Sequence, residues 1–235
     1  MVRDYHLSGR VLLVTALLLA GPAGAQSQAP SPTQTQSTAS QRDAAEAQQI
    51  APAYADYMAG RTTAAAEAFA TLARQGNRLA QFNLAVMHAR GELNPSDPAL
   101  ALALLHDAAD QGLVSAMVAL GEAYEAGELT AKDLSASAVW YQRAADAGQN
   151  DAAIAIATAY YLGRGVAQDN ALAAHYYLQA ANGGDVGAQY LYASMCEHGL
   201  GVPQDLRLAR YWYQKAADNG DLGGAVKAAE LRAPD

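Results

Sequence analysis

Five histidines, one cysteine and 23 Asp and Glu residues are the side chains in this chain with the means for acid–base, nucleophilic or metal chemistry. Their spacing argues against all three. His106, His175 and His198 stand where no second histidine comes within helical reach, so they form no metal-ligand set. His88 and Cys196 share a slot that other copies of an internal repeat fill with Tyr124 and Tyr160, which makes them core residues rather than a base and a nucleophile. A single cysteine also excludes a disulfide framework and a cysteine-based zinc site. Gly163-Arg164-Gly165 has the composition of a phosphate loop, yet it lacks the third glycine and a preceding strand, so it reads as a connector. No Gly-x-Ser-x-Gly elbow, His-Glu-x-x-His, P-loop or Ser-x-x-Lys occurs. The expectation is a protein with no catalytic residue, no metal and no cofactor, whose work is binding.

The composition points to the elements that must position such a surface. Of 235 residues 57 are alanine, only 16% are charged, and 13 of the 17 aromatic residues are tyrosine. A sandwich or barrel would need more β-branched and large aromatic residues, so the chain is expected to be helical. A formal charge of −8 leaves no basic footprint for nucleic acid or anionic lipid.

Residues 1–25 read as a cleavable secretory signal peptide. Arg3 and Arg10 precede a ten-residue apolar stretch, Val11–Ala20, broken only by Thr15, and Ala23-Gly24-Ala25 supplies small residues for cleavage. Ten residues fall short of the roughly 30 Å hydrocarbon core, so no stable membrane anchor is expected after cleavage. The protein is therefore expected to be periplasmic or secreted. Residues 26–42, rich in Gln, Ser, Thr and Pro, are expected to form a disordered tether.

The rest repeats every 36 residues. Gly76, Gly112, Gly148, Gly184 and Gly220 keep that step, as do Gly91, Gly127, Gly163 and Gly199, and Asp97, Asp133, Asp169 and Asp205. Each unit predicts two antiparallel helices. The first carries a stripe at i, i+4, i+8, as in Ala152, Ile156 and Tyr160; the second shows Ala209, Trp212, Tyr213 and Ala216 at i, i+3, i+4, i+7. The aspartates stand at N-cap positions and Gly112, Gly148, Gly184 and Gly220 at left-handed helix ends. Asn77, Asp185 and Asp221 are expected to cap first helices; Leu113 and Gln149 are not. The tyrosines of the second helices are expected in the core, with hydroxyls reaching backbone or water.

The run Gly199-Leu200-Gly201-Val202-Pro203-Gln204-Asp205, followed by Tyr211-Trp212-Tyr213-Gln214-Lys215-Ala216-Ala217-Asp218-Asn219-Gly220, resembles the Sel1-like repeat, and 163–185 is a second close match. The copies at 77–112 and 113–148 depart from it in the connector, with Gly91-Glu92-Leu93-Asn94 and Gly127-Glu128-Leu129-Thr130. The resemblance implies an all-α, right-handed α-solenoid of tetratricopeptide-like helix pairs. Its expected units are 43–76 (shortened), 77–112, 113–148, 149–184 and 185–220, with a capping helix at 221–233. It also implies a non-enzymatic adaptor in the bacterial envelope, binding a partner protein or peptide in signalling or assembly. The alternative it offers is a secreted hydrolase of the β-lactam-processing kind, but those members carry paired cysteines in each repeat and this chain has one cysteine in all. First helices of a helical solenoid generally line the concave surface. Positions there that vary between copies, Asn83, Arg90, Glu122, Thr158, Leu162, Leu191, Ser194 and His198, are the expected protein-binding residues.

Overall fold

The computed structural model describes residues 32–232, and every regular element among them is an α-helix. In chain order these are α1 (Pro32–Met58), α2 (Thr62–Arg74), α3 (Arg78–Ala89), α4 (Pro98–Asp110), α5 (Val114–Ala126), α6 (Leu134–Asp146), α7 (Asn150–Leu162), α8 (Asn170–Asn182), α9 (Val186–His198), α10 (Leu206–Asp218) and α11 (Leu222–Glu230). None is long and apolar enough to cross a membrane.

Local chemistry sets the boundaries. The carboxylates of Asp133, Asp169 and Asp205 each accept two backbone N–H groups of the helix they start, at 2.9–3.0 Å, and Asp97 accepts one from Leu100. These bonds satisfy donors that the first helical turn leaves free. They also hold the Asp205 carboxyl below its usual range, the Leu208 N–H contributing most. Gln149, which the sequence left without a capping role, does cap α7: its Oε1 accepts from Asp151 and from Ala152, the latter at 3.2 Å. A glutamine reaches these donors because its side-chain amide carbonyl does what the shorter aspartate carboxylate does elsewhere.

The chain divides into two units, residues up to Ala119 with Glu128–Thr130, and Leu120–Gly127 with Ala131 onward. In the first, α1 packs on α2, α2 on α3, α3 on α4, and α1 also reaches α3. In the second, each helix from α6 to α11 packs on the next. The result is an α-solenoid of helix pairs. Its contacts are made by residues too small to hold neighbouring helices apart: Ala80, Ala116, Ala108, Ala144, Ala180 and Ala216 are all 0% exposed. Larger side chains fill the remaining space, Ile156 and Tyr213 being at most 1% exposed.

The signal-peptide expectation for 1–25 lies outside the described residues, as do residues 26–31 of the expected tether. Residues 32–42 are helical, contrary to the expected tether, and open α1. The helix is anchored from the end of that segment onward. Arg42 donates to Glu46 at 2.9 Å and to Gln111 at 2.8 Å, and Glu46 is itself buried against Arg78. Once a helix is nucleated, extending it backwards adds one hydrogen bond per residue fixed, so even a polar segment joins it.

Candidate functional site

The first unit does not offer Asn83 to a partner. Nearly all of α3 is buried, and Asn83 is 0% exposed, donating from Nδ2 to the Leu79 carbonyl at 2.8 Å while its Oδ1 has no partner. α3 packs on α2 and α4, and α1 also reaches it. Arg90 caps the end of α3, half-buried, 3.9 Å from Glu92.

In the second unit, two hollows form between successive repeats at the same position of the pattern. The larger, about 160 Å³, is lined by Glu125, Tyr141, Ala155, Thr158, Ala159 and Arg164 among others. The smaller, about 60 Å³, is lined by Tyr161, Tyr177, Leu191, Ser194, Met195 and Leu200. Each residue of the second set stands 36 positions after its counterpart in the first. Of the expected binding residues, Thr158 therefore belongs to one hollow and Leu191 and Ser194 to the other. Glu122 is half-buried, and its charge is the smallest of the influences that raise the Tyr141 hydroxyl. Leu162, 55% exposed, and His198, whose ring nitrogen lies 2.8 Å from the Ser194 carbonyl, line neither.

A third junction, between α10 and α11, lets the series be compared. The facing residue is Glu125, then Tyr161, then Glu197; the second-helix tyrosine is Tyr141, Tyr177, Tyr213; the slot on the following helix holds Ala155, Leu191, Lys227. At the second junction a leucine meets a tyrosine. At the third, Tyr213 donates to Glu197 Oε2 at 2.7 Å while Lys227 Nζ sits 3.3 Å from Glu197 Oε1. At the first, Tyr141 donates to Glu125 Oε2 at 3.1 Å, but the slot residue is an alanine and the space is open. Arg164 is the cation nearest Glu125, with Nη2 at 3.6 Å from Oε1.

These bonds correct the expectation that the tyrosine hydroxyls reach backbone or water. Tyr141, Tyr176 and Tyr213 donate to Glu125, Asp146 and Glu197, and Tyr177 shares a 2.9 Å bond with Thr158. A buried phenol gains more from a charged acceptor than from a neutral one. Burial first and the neighbouring carboxylate second raise the Tyr141 and Tyr213 hydroxyls well above their ordinary range, so both remain donors. At Glu197, burial pushes the carboxyl upward, but the Tyr213 hydroxyl and the Lys227 ammonium outweigh it and the carboxyl lies low. Identity at the 36-residue step marks Tyr141, Tyr177 and Tyr213 but not Glu125, Glu197 and Lys227, which stand at positions that change. Following one slot through its successive copies finds them.

Cys196 is fully buried, beside Tyr192. Burial raises its thiol, an effect that Tyr192 only partly offsets. Since the thiolate is the reactive form, a maleimide is expected to leave native Cys196 unmodified at pH 7 and to label it at the rate of a free thiol in urea. Rapid native labelling, followed by mass spectrometry, would contradict this placement. Among the described residues no group of three or more His, Cys, Asp or Glu side chains is placed to hold a metal ion.

The Sel1 repeat family model matches residues 78–113, 114–149, 150–185 and 186–221, more than half of the chain. The crystal structure of a Sel1 repeat protein from Oxalobacter formigenes is 34% identical with a TM-score of 0.62, over 72% of this chain and 49% of that one. A protective antigen of uropathogenic Escherichia coli displaying an SLR fold is 29% identical with a TM-score of 0.67, over 85% of this chain and 43% of that one. The chain thus spans about half the length of these relatives or less. No curated protein matches it. Four tandem matches in register, carried by the same glycines, aspartates and alanines that build the helix pairs, make this chain a member of the Sel1 repeat family.

Proposed function

We propose that this protein is a non-catalytic adaptor of the bacterial cell envelope, exported by residues 1–25, which holds a partner protein or peptide on the face lined by its first helices. Sel1 repeat proteins are generally protein-interaction scaffolds, and the family is typically non-catalytic. The observation that carries the reading is the junction series. Positions such as Ala152 and Ala188 repeat unchanged and are at most 1% exposed, whereas Ala155, Leu191 and Lys227 occupy one slot with three chemistries. Slots that vary on a fixed frame are where a repeat protein can place its recognition chemistry. A preformed frame also binds with little ordering cost. The lactam-processing alternative loses its support with the absent cysteine pairs.

A photo-crosslinking amino acid placed at Ala155, Leu162 or Leu191 in cells is expected to trap the same envelope protein from each position. The same group at Val139, 56% exposed on α6, is expected to trap none. Equal capture from Val139, or no capture from the three slots, would overturn the reading.

A further inference from the structure

We infer that the hollow beside Glu125 is a receptor for a single lysine side chain of the partner polypeptide. The inference rests on the scaffold reading above and names the chemistry its first slot recognises. The chain itself supplies the template. At the α10–α11 junction, Glu197 gives Oε2 to the Tyr213 hydroxyl and Oε1 to the Lys227 ammonium. Seventy-two residues earlier, Glu125 gives Oε2 to the Tyr141 hydroxyl in the same way, but Ala155 stands in the slot of Lys227 and a cavity of about 160 Å³ opens there.

The cavity is shaped for an aliphatic stem with a charged end. Ala138, Ala155, Ala159 and Leu134 give it apolar walls, on which lysine methylenes lie while the ammonium reaches a polar partner. The wall hydroxyls are already engaged, Ser137 with the Gly121 carbonyl at 2.8 Å and Thr158 with the Ile154 carbonyl at 2.8 Å and Tyr177 at 2.9 Å. Glu125 Oε1 is the charged acceptor open to an incoming donor, and a carboxylate holds an ammonium more strongly than the wall hydroxyls can. Arg164 approaches it at 3.6 Å, but both side chains are about half exposed, at 49% and 44%, and an exposed pair of this kind is held weakly. Arg164 is therefore a displaceable occupant beside the Glu125 oxygen, where at the other junction Lys227 meets Glu197 at 3.3 Å. Glu122, one turn before Glu125 on α5, adds its negative charge to the potential that draws a cation in. At the intervening junction Leu191 and Tyr161 replace the slot and the carboxylate, so lysine recognition is confined to one place.

The test is a titration of the full chain, labelled with 15N, by the peptide acetyl-Gly-Ser-Lys-Ser-Gly-amide. The amide signals of residues 155–164 are expected to shift saturably, with binding that weakens as salt is added. Replacing the lysine by norleucine or by acetyl-lysine is expected to weaken binding at least tenfold, as is Glu125→Gln in the protein. Ala155→Lys is expected to abolish it by placing the chain's own ammonium in the slot, and Val139→Ala, exposed on α6, to leave it unchanged. Norleucine binding as well as lysine, or Glu125→Gln binding undiminished, would overturn the inference. Should Glu125→Gln fail to fold, the acetyl-lysine peptide and Ala155→Lys decide alone. An arginine peptide that bound more tightly would replace lysine by a guanidinium and so overturn it, and free cadaverine matching the peptide would overturn the polypeptide source. Trapping of an envelope protein from Leu162 with equal yield in Glu125→Gln cells would sink the lysine receptor while the scaffold reading stood.

Discussion

Glu46→Ala is expected to destabilise the first unit by about 3 kcal/mol, the lower end of the range for breaking a buried ion pair by removing one partner. Glu46 and Arg78 are 7% and 8% exposed, and Arg78 Nε donates to Glu46 Oε2 at 2.7 Å. The substitution leaves a guanidinium inside the α1–α3 contact with Asp43, itself 58% exposed, as its remaining anion. That residual partner is why the lower end is expected. The same carboxylate accepts from Arg42 at 2.9 Å, and the Glu46 carbonyl accepts from Asn77 at 3.2 Å, so one substitution loosens the whole α1 docking. Urea denaturation and hydrogen exchange of α1 and α3 amides would read the loss. Asp56→Ala, which breaks the exposed Arg61–Asp56 pair, should cost no more than about 1 kcal/mol. Equal effects from the two substitutions would show that the Glu46–Arg78 pair does not hold α1. A hydrophobic replacement of both Glu46 and Arg78 should recover most of the loss, because no charge is then left buried.

That pair was not legible in the sequence, whereas the solenoid was. A repeat shows itself through positions that cannot change: Gly112 and its copies because φ is positive there, from +83° to +98°, and Ala108 and its copies because another helix occupies the space a larger side chain would need. Arg78 and Glu46 have no copies. They meet where α1 packs on α3, a contact that only the fold brings together, and Asn83 on the same helix is fully buried. The binding residues were half legible for a related reason. Variation between copies led to Thr158, Leu191 and Ser194, but it could not separate a slot facing a cavity from one facing solvent, as Leu162 does. Only the pairing across a junction, Glu125 with Ala155 against Glu197 with Lys227, makes that distinction, and pairing is a property of packing.

Gly165→Ala and Gly163→Ala, two residues apart in one connector, should differ severalfold in cost. Both glycines have positive φ, +74° and +67°, where an L-residue loses about 1–2 kcal/mol. For Gly163 that is the whole effect, since the nearest atom a Cβ would meet is Gln168 Cβ at 3.5 Å. At Gly165 the Cβ would run into the Leu134 backbone carbonyl and lie 2.8 Å from Leu134 Cβ, so the first turn of α6 must move. Overpacking of this kind adds about 1–3 kcal/mol, for a total of about 2–5 kcal/mol, measurable by urea denaturation. Gly201 meets the Asn170 carbonyl in the same way and should behave alike. The copy at 113–148 carries Leu129 where this glycine falls, but among the described residues none other than glycine has positive φ, so that connector follows another path and gives no licence for a side chain at 165. Leu134 also forms a wall of the cavity beside Glu125. Gly165→Ala should therefore weaken the lysine peptide as well as the fold, whereas Gly201→Ala, at the next junction, should lower stability and leave that binding intact. Equal losses of binding from both would mean that the connector glycine acts on the cavity only through global stability.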